Sequence, residues 1–383
     1  MRFFDDPGKA LQQMEDELLE EDWDEEDVDE DGEDFPVLTR RDSRPTNYAV
    51  DFDRTVYDDE ETDDAYYAED YIADRKSRKK QRKKGSGGLV LLLLGGMPLF
   101  DSLVHAFGTV GTGGFGIRAD SIASYSPYIQ GVITVFMILC GINFNLYYLL
   151  LLRQWRAALR SDELWTYLGL AVVATGVITL DLRGVYGGLG TCLRQAAFQV
   201  SSVLTTTGYA TADFDLWPGL SRAILFALLF IGGCAGSTGG GLKVTRVVTL
   251  VKAAFMDMRK MIHPNAVVNV RMEGRAMPEK QVRGVQAYFS VYMLLYAVSW
   301  LLLSLNGFDL LSTFTALSAC INNIGPGLGM VGPTGNFSAF APWAKLLLSF
   351  DMLAGRLEIF PMLLLFVPST WRGNRLRRWE RRN

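Results

Sequence analysis

Three short runs have the residue types and order needed to replace water around a cation. They are Val110, Gly111, Thr112 and Gly113; Thr205, Thr206, Thr207 and Gly208; and Asn322, Asn323, Ile324 and Gly325. In such a turn, consecutive backbone carbonyls face one axis and substitute for the ion's hydration shell. Glycine at the fourth place allows backbone dihedrals closed to other residues, and threonine or asparagine side chains brace the turn by hydrogen bonds. Aligned on Gly113, Gly208 and Gly325, the runs recur at intervals of 95 and 117 residues.

The elements that must hold these turns follow from hydropathy. An amphipathic segment precedes each turn, at residues 100–109, 193–204 and 310–321, and is expected to be a half-helix. Its carbonyl end then points at the pathway, and the partial negative charge there favours cations. Non-helical backbone at membrane depth is tolerated only where it lines a wet cavity or is buried in protein, so each turn implies a pore. Residues 127–152, 164–180, 217–233, 285–305 and 340–367 read as spans, since about 20 mostly apolar residues cross the hydrocarbon. Residues 89–100 form a shorter apolar stretch. The recurring unit is apolar helix, half-helix, polar turn, apolar helix. The fold class is therefore an all-α polytopic membrane protein with the lipid bilayer as its surroundings.

Charge divides the chain in two. Residues 1–74 hold 29 of the 43 acidic residues against 6 Lys and Arg, so the overall charge of −5 is a cancellation. So acidic a segment cannot bury enough apolar surface to offset its ordering entropy, and a disordered, solvated tail is expected. Binding of a basic regulatory partner is the other use open to it. No register of an EF-hand loop is present, which excludes that calcium site. The basic cluster RKSRKKQRKK at 75–84 and the linker GSGG at 85–88 stand directly before the first apolar stretch. That arrangement marks a cytoplasmic flank held against anionic lipid, not a nucleic-acid arm, and no secretory signal is read before it. Residues 153–162, 243–283 and 372–383 carry 3, 9 and 6 Lys and Arg and should also be cytoplasmic. Both termini then lie inside and all three turns open outside.

The motifs TVGTGGF, SSVLTTTGYATADF, GGCAGSTGGGLKVTR, NNIGPGLG and AGRLEIFP, in this order, resemble the Trk/Ktr/HKT superfamily of potassium transporters, and its Trk/Ktr membrane subunit in particular. The likeness runs from about residue 89 to 372. It implies four repeats around one potassium pathway in the cell membrane, with potassium as substrate at the filter residues above. It also implies a homodimer gated by a cytosolic ring of nucleotide-binding subunits of the TrkA or KtrA type. The small-residue stretch in an inner helix, with Gly236, Ser237, Thr238, Gly239, Gly240 and Gly241, corresponds to the family's gate, and Lys243 stands at its end. Close helix packing through small residues is the plainer use of such a stretch. Arg356 corresponds to an arginine projecting below the filter, whereas its neighbours Asp351 and Glu358 suggest a structural ion pair instead.

The resemblance partitions the chain into a tail (1–88), a partial repeat (89–152), a repeat with a broken inner helix (153–262) and a last repeat with a basic end (263–383). Three turns of a fourfold design make a truncated or chimeric member, lacking the first repeat, the expected product. Other patterns lead nowhere. GTGGFG at 111–116 spells a dinucleotide fingerprint but lacks the strand that the fingerprint requires. Leu242 separates Gly241 from Lys243 and breaks a phosphate loop. Four scattered cysteines, with His105 and His263 far apart, form no metal or catalytic set, so an enzyme is not expected. Asp213 stands beside the second turn, either as an exposed loop carboxylate or as a concentrator of cations. The alternatives from other classes are a solute transporter with broken helices in inverted halves and a membrane anchor displaying the acidic tail.

Overall fold

The computed structural model describes residues 87–263 and 269–366. The acidic tail up to residue 86, the basic cluster at 75–84 and the basic stretch at 372–383 lie outside the described residues.

A short helical stretch at 87–94 leads through Pro98 into α1 (Leu99–Val110). Helix α2 (Pro127–Cys140) starts where proline costs nothing, at the first helical position, and Ser126 caps it by accepting from the Ile129 amide. There follow α3 (Phe144–Leu151), α4 (Asp162–Asp181), α5 (Leu189–Leu204), α6 (Gly219–Leu228) and α7 (Val244–Ile262). Then come α8 (Glu279–Leu303), α9 (Leu310–Ile321), α10 (Pro342–Arg356) and α11 (Ile359–Leu364). Among the described residues the only strands are the two-residue pair Arg271–Met272 and Arg275–Ala276. The fold is all-α, and the glycines at 111–116 follow a helix, not a strand.

The half-helices fall where expected, as α1, α5 and α9; α1 runs one residue further at each end and α5 starts four residues earlier. The spans need correction. Among the described residues two helices, Asp162–Asp181 and Glu279–Asn306, are long and apolar enough to cross a membrane, matching the stretches at 164–180 and 285–305. The stretch at 127–152 is instead a pair bent by 87°, α2 and α3. Asn143 makes the break: its side chain accepts from the Asn145 amide (2.9 Å) and caps a new helix. The stretch at 217–233 contains only α6, because residues 229–243 leave the helix. The last stretch stops at Arg356, where Glu358 adopts φ +69° before α11. Every helix that follows a turn is thus interrupted.

Each half-helix is sheathed by longer helices. α1 packs on α2; α5 packs among α2, α4 and α6; α9 packs between α8 and α10. Helices α5 and α9 present small and hydroxyl residues inward, which lets backbones approach closely where lipid supplies no hydrophobic drive between helices. Their hydroxyls return to the helix itself, as in Thr205 to the Ser201 carbonyl (2.7 Å) and Ser318 to that of Phe314 (2.9 Å). On α4 and α8, Val172, Val173, Leu294 and Leu301 face outward, exposed to what would be lipid.

Candidate ion pathway

The three turns are the same structure built three times. In each, a residue two places past the half-helix donates to a carbonyl three residues back: Thr112 to Thr109, Thr206 to Val203, Asn323 to Cys320. The next two amides converge on one carbonyl: Gly113 and Gly114 on Gly108, Thr207 and Gly208 on Ser202, Ile324 and Gly325 on Ala319. Thr112, Thr206 and Asn323 all take left-handed dihedrals, with φ of 48°, 56° and 56°. For a β-branched residue that is a costly conformation, held only because its surroundings over-determine it. This register corrects the alignment of the first turn. The counterpart of Gly208 and Gly325 is Gly114, which shares their positive φ, and the matching run is 111–114, so Val110 remains in α1.

The turns interlock in sequence. A methyl on Gly114 would stand 1.7 Å from the Thr207 carbonyl oxygen, and one on Gly208 would stand 1.9 Å from that of Ile324. Beside Gly325 nothing lies within 4 Å of that position. Gly114, Gly208 and Gly325 all line one vestibule of about 350 Å³. A second cavity, about 590 Å³, is bordered by Gly111, Thr112 and Gly113 of the first turn, by Asn323, Ile324 and Gly325 of the third, and by Arg356.

Side chains brace the turns as expected. Thr205 and Thr207 share a hydrogen bond (2.8 Å), and Asn322 donates to the Ser318 carbonyl (3.0 Å). Tyrosines supply bracing that sequence reasoning missed. Tyr292 donates to the Asn322 side chain (3.1 Å), Tyr296 binds at the Phe314 carbonyl (3.0 Å), and Tyr209 reaches the Phe115 carbonyl (3.3 Å). Tyr288, Tyr292 and Tyr296 recur every four residues on one face of α8, a visible pattern whose polar tips pointed to no partner in the sequence.

Residues 229–243 form an irregular loop whose tip meets all three turns. Thr238 donates to the Val110 carbonyl (3.0 Å) and accepts, at its own carbonyl, from Thr112 (2.9 Å). The Gly240 amide donates to Thr206 (2.7 Å), and a methyl on Gly240 would stand 2.8 Å from the Asn322 carbonyl oxygen. Gly236 and Gly241 flank the tip with φ of 67° and 68°. Lys243 folds back so that its ammonium donates to the Gly239 carbonyl.

Arg356 donates to the Gly111 carbonyl (3.3 Å). Its position depends on Gly355, where a methyl would stand 1.7 Å from the Ile321 carbonyl oxygen. The ion pair suggested by neighbouring sequence is not its arrangement: Glu358 pairs with Arg246 (2.8 Å), and buried Asp351 accepts from Ser299 (2.9 Å). Asp213 accepts from the Asp215 amide and from Thr334, tying two loops together. His105 is buried against Tyr125 and Tyr209, and all four cysteines are buried. Among the described residues no group of three potential metal-binding side chains occurs.

The chain is 40% identical over 281 residues to the Trk system potassium uptake protein TrkH of Salmonella typhimurium, covering 72% of this chain and 58% of the relative. It is 35% identical over 289 residues to the Trk system potassium uptake protein TrkG of Escherichia coli, covering 73% and 58%. It thus spans about three-fifths of the length of these relatives. The crystal structure of the potassium transporter TrkH from Vibrio parahaemolyticus superposes with a TM-score of 0.69 at 34% identity, over 75% of this chain and 62% of that one. The TrkH cation transport protein family matches residues 81–171 and 188–372. The chain belongs to the TrkH family of membrane cation transport proteins.

Proposed function

We propose that this chain carries potassium across the cell membrane as part of the membrane subunit of a Trk-type uptake system. Potassium is its substrate, and it performs no enzymatic chemistry. The ion passes between the carbonyls of the three turns, 111–114, 205–208 and 322–325. The observation that supports this most is the threefold repetition of one left-handed turn, with all three glycines on a single vestibule. A polar, small-residue stack of this kind is what replacing a hydration shell requires. The open flank beside Gly325 suits a fourth turn of the same kind, and we read 89–152 as a partial repeat and 153–262 and 263–383 as complete ones.

The loop tip, with Gly236, Ser237, Thr238, Gly239, Gly240 and Gly241, acts as the gate, since it lies against all three turns. Lys243 and Arg356 add positive charge beside it. The distribution of basic residues supports cytoplasmic termini, and the resemblance of the sequence motifs to the Trk/Ktr superfamily is what suggests a cytosolic nucleotide-binding ring acting on a homodimer. The test is rubidium uptake and growth at limiting potassium in cells lacking potassium uptake. The chain, expressed with a fourth repeat and the regulatory ring, should restore both; membrane-inserted protein that restores neither overturns the reading.

A further inference from the structure

One buried carboxylate ties the loop, just before its tip, to the helix that follows it. Glu163, in the first turn of α4, is only 5% exposed. Its Oε1 accepts from the Ala235 amide (2.6 Å), just before the tip of the loop, and from the Thr245 hydroxyl, in the first turn of α7. Its Oε2 accepts from Asn143 (3.5 Å), the residue that breaks α2 from α3. A buried carboxylate is stable only when its lone pairs are filled, and here donors from three separate segments fill them. Removal would leave those donors without their acceptor.

The loop has a neck and a tip with different fixings. At the neck, the Gly232 amide donates to Leu242 (2.8 Å), the Val244 amide to Gly233 (3.1 Å) and the Cys234 amide to Gly141 (2.9 Å). Glu163 joins this neck to α4. The start of α4 is itself tied down: Asp162 accepts from Lys252 (2.8 Å) and from the Glu273 amide (3.3 Å). The tip is joined to the neck through Gly236 and Gly241, the two loop positions with left-handed dihedrals. Those glycines can change conformation at little steric cost.

We infer that Glu163 is the positioning residue of the gate, anchoring the neck so that only the tip, residues 237–240, moves against the turns. This rests on the reading of residues 236–241 as a gate.

A cysteine reporter at the tip, Ser237→Cys, tests it in the full protein in membranes, with a membrane-impermeant maleimide applied from the cytosolic side. In that background Glu163→Ala should raise the labelling rate roughly tenfold, the scale of losing a charge-assisted hydrogen bond. Rubidium flux should become less dependent on the regulatory ring. Glu163→Gln keeps the size and one acceptor oxygen but loses the charge, so its labelling should fall between wild type and Glu163→Ala; labelling as slow as wild type would assign the effect to packing and overturn the role of the carboxylate. Unchanged labelling in inserted Glu163→Ala protein overturns the inference. If Glu163→Ala fails to insert, Thr245→Val and Asn143→Ala each remove one donor and should each raise labelling severalfold; no rise in either also overturns it. Labelling does not read ion flux, so a wild-type protein that labels as expected but passes no rubidium would refute the transport reading while leaving the anchor intact.

Discussion

In the three turns, the glycine amides converge on carbonyls of the preceding half-helix, and two of the three glycines are walled by the next turn's backbone. In residues 229–243, backbone bonds clamp the neck, while the tip between Gly236 and Gly241 meets the turns through the two hydrogen bonds of Thr238 and the one of the Gly240 amide. Close backbone contact requires glycine in both regions: a methyl would stand 1.7 and 1.9 Å from a carbonyl oxygen at Gly114 and Gly208, and 2.2 Å from one at Gly232. The proposed difference lies at Gly236 and Gly241, whose left-handed dihedrals glycine can enter and leave at little steric cost. A filter must hold its carbonyls still to substitute for water, and a gate must exchange between states.

Substitutions at the glycines break this comparison most sharply. Gly208→Ala puts a methyl 1.9 Å from the Ile324 carbonyl oxygen in a backbone with φ of 86°, so rubidium uptake should vanish while the protein still inserts. Gly325→Ala meets no neighbour within 4 Å. It should cost only the dihedral strain, about 1–3 kcal/mol, and uptake should be reduced rather than lost. Equal losses in the two variants would mean that interlocking of the turns is unimportant.

In the loop, Gly240→Ala pushes a methyl to 2.8 Å from the Asn322 carbonyl oxygen, while Gly239→Ala has its nearest neighbour at 3.3 Å. Flux should change severalfold in the first and little in the second, measured at equal surface expression. Arg356→Ala removes a positive charge beside the Gly111 carbonyl and should raise flux; a fall with normal insertion would argue that the arginine supports the turn instead. The smallest effect is expected for Tyr292→Phe, which leaves the Asn322 side chain without its donor. One neutral hydrogen bond contributes about 0.5–1.5 kcal/mol, so a slightly lowered Tm with near-normal uptake is the expected result.

Much of this was legible in the chain. The half-helices could be read because amphipathic stretches end in turn residues, and α9 was bounded to the residue at 310–321. The register of the first turn could not, because GTGG offers two adjacent glycines and composition does not say which one takes the positive φ. The breaks at 141–143 and 357–358 were hidden for a related reason. A capping asparagine and a left-handed glutamate end helices through their backbone conformation, which the polarity of single residues inside long apolar runs does not reveal. Nothing in the sequence singled out Glu163, since its partners Ala235 and Thr245 lie 72 and 82 residues further along.

The central claim, that the three turns form one cation filter above a loop gate, is tested most directly by locating the ion. A structure of the assembled protein in rubidium should show anomalous density on the axis shared by residues 111–114, 205–208 and 322–325, on the vestibule side of Gly240. Density absent from that axis, or confined to the cavity beside Arg356, would contradict the account.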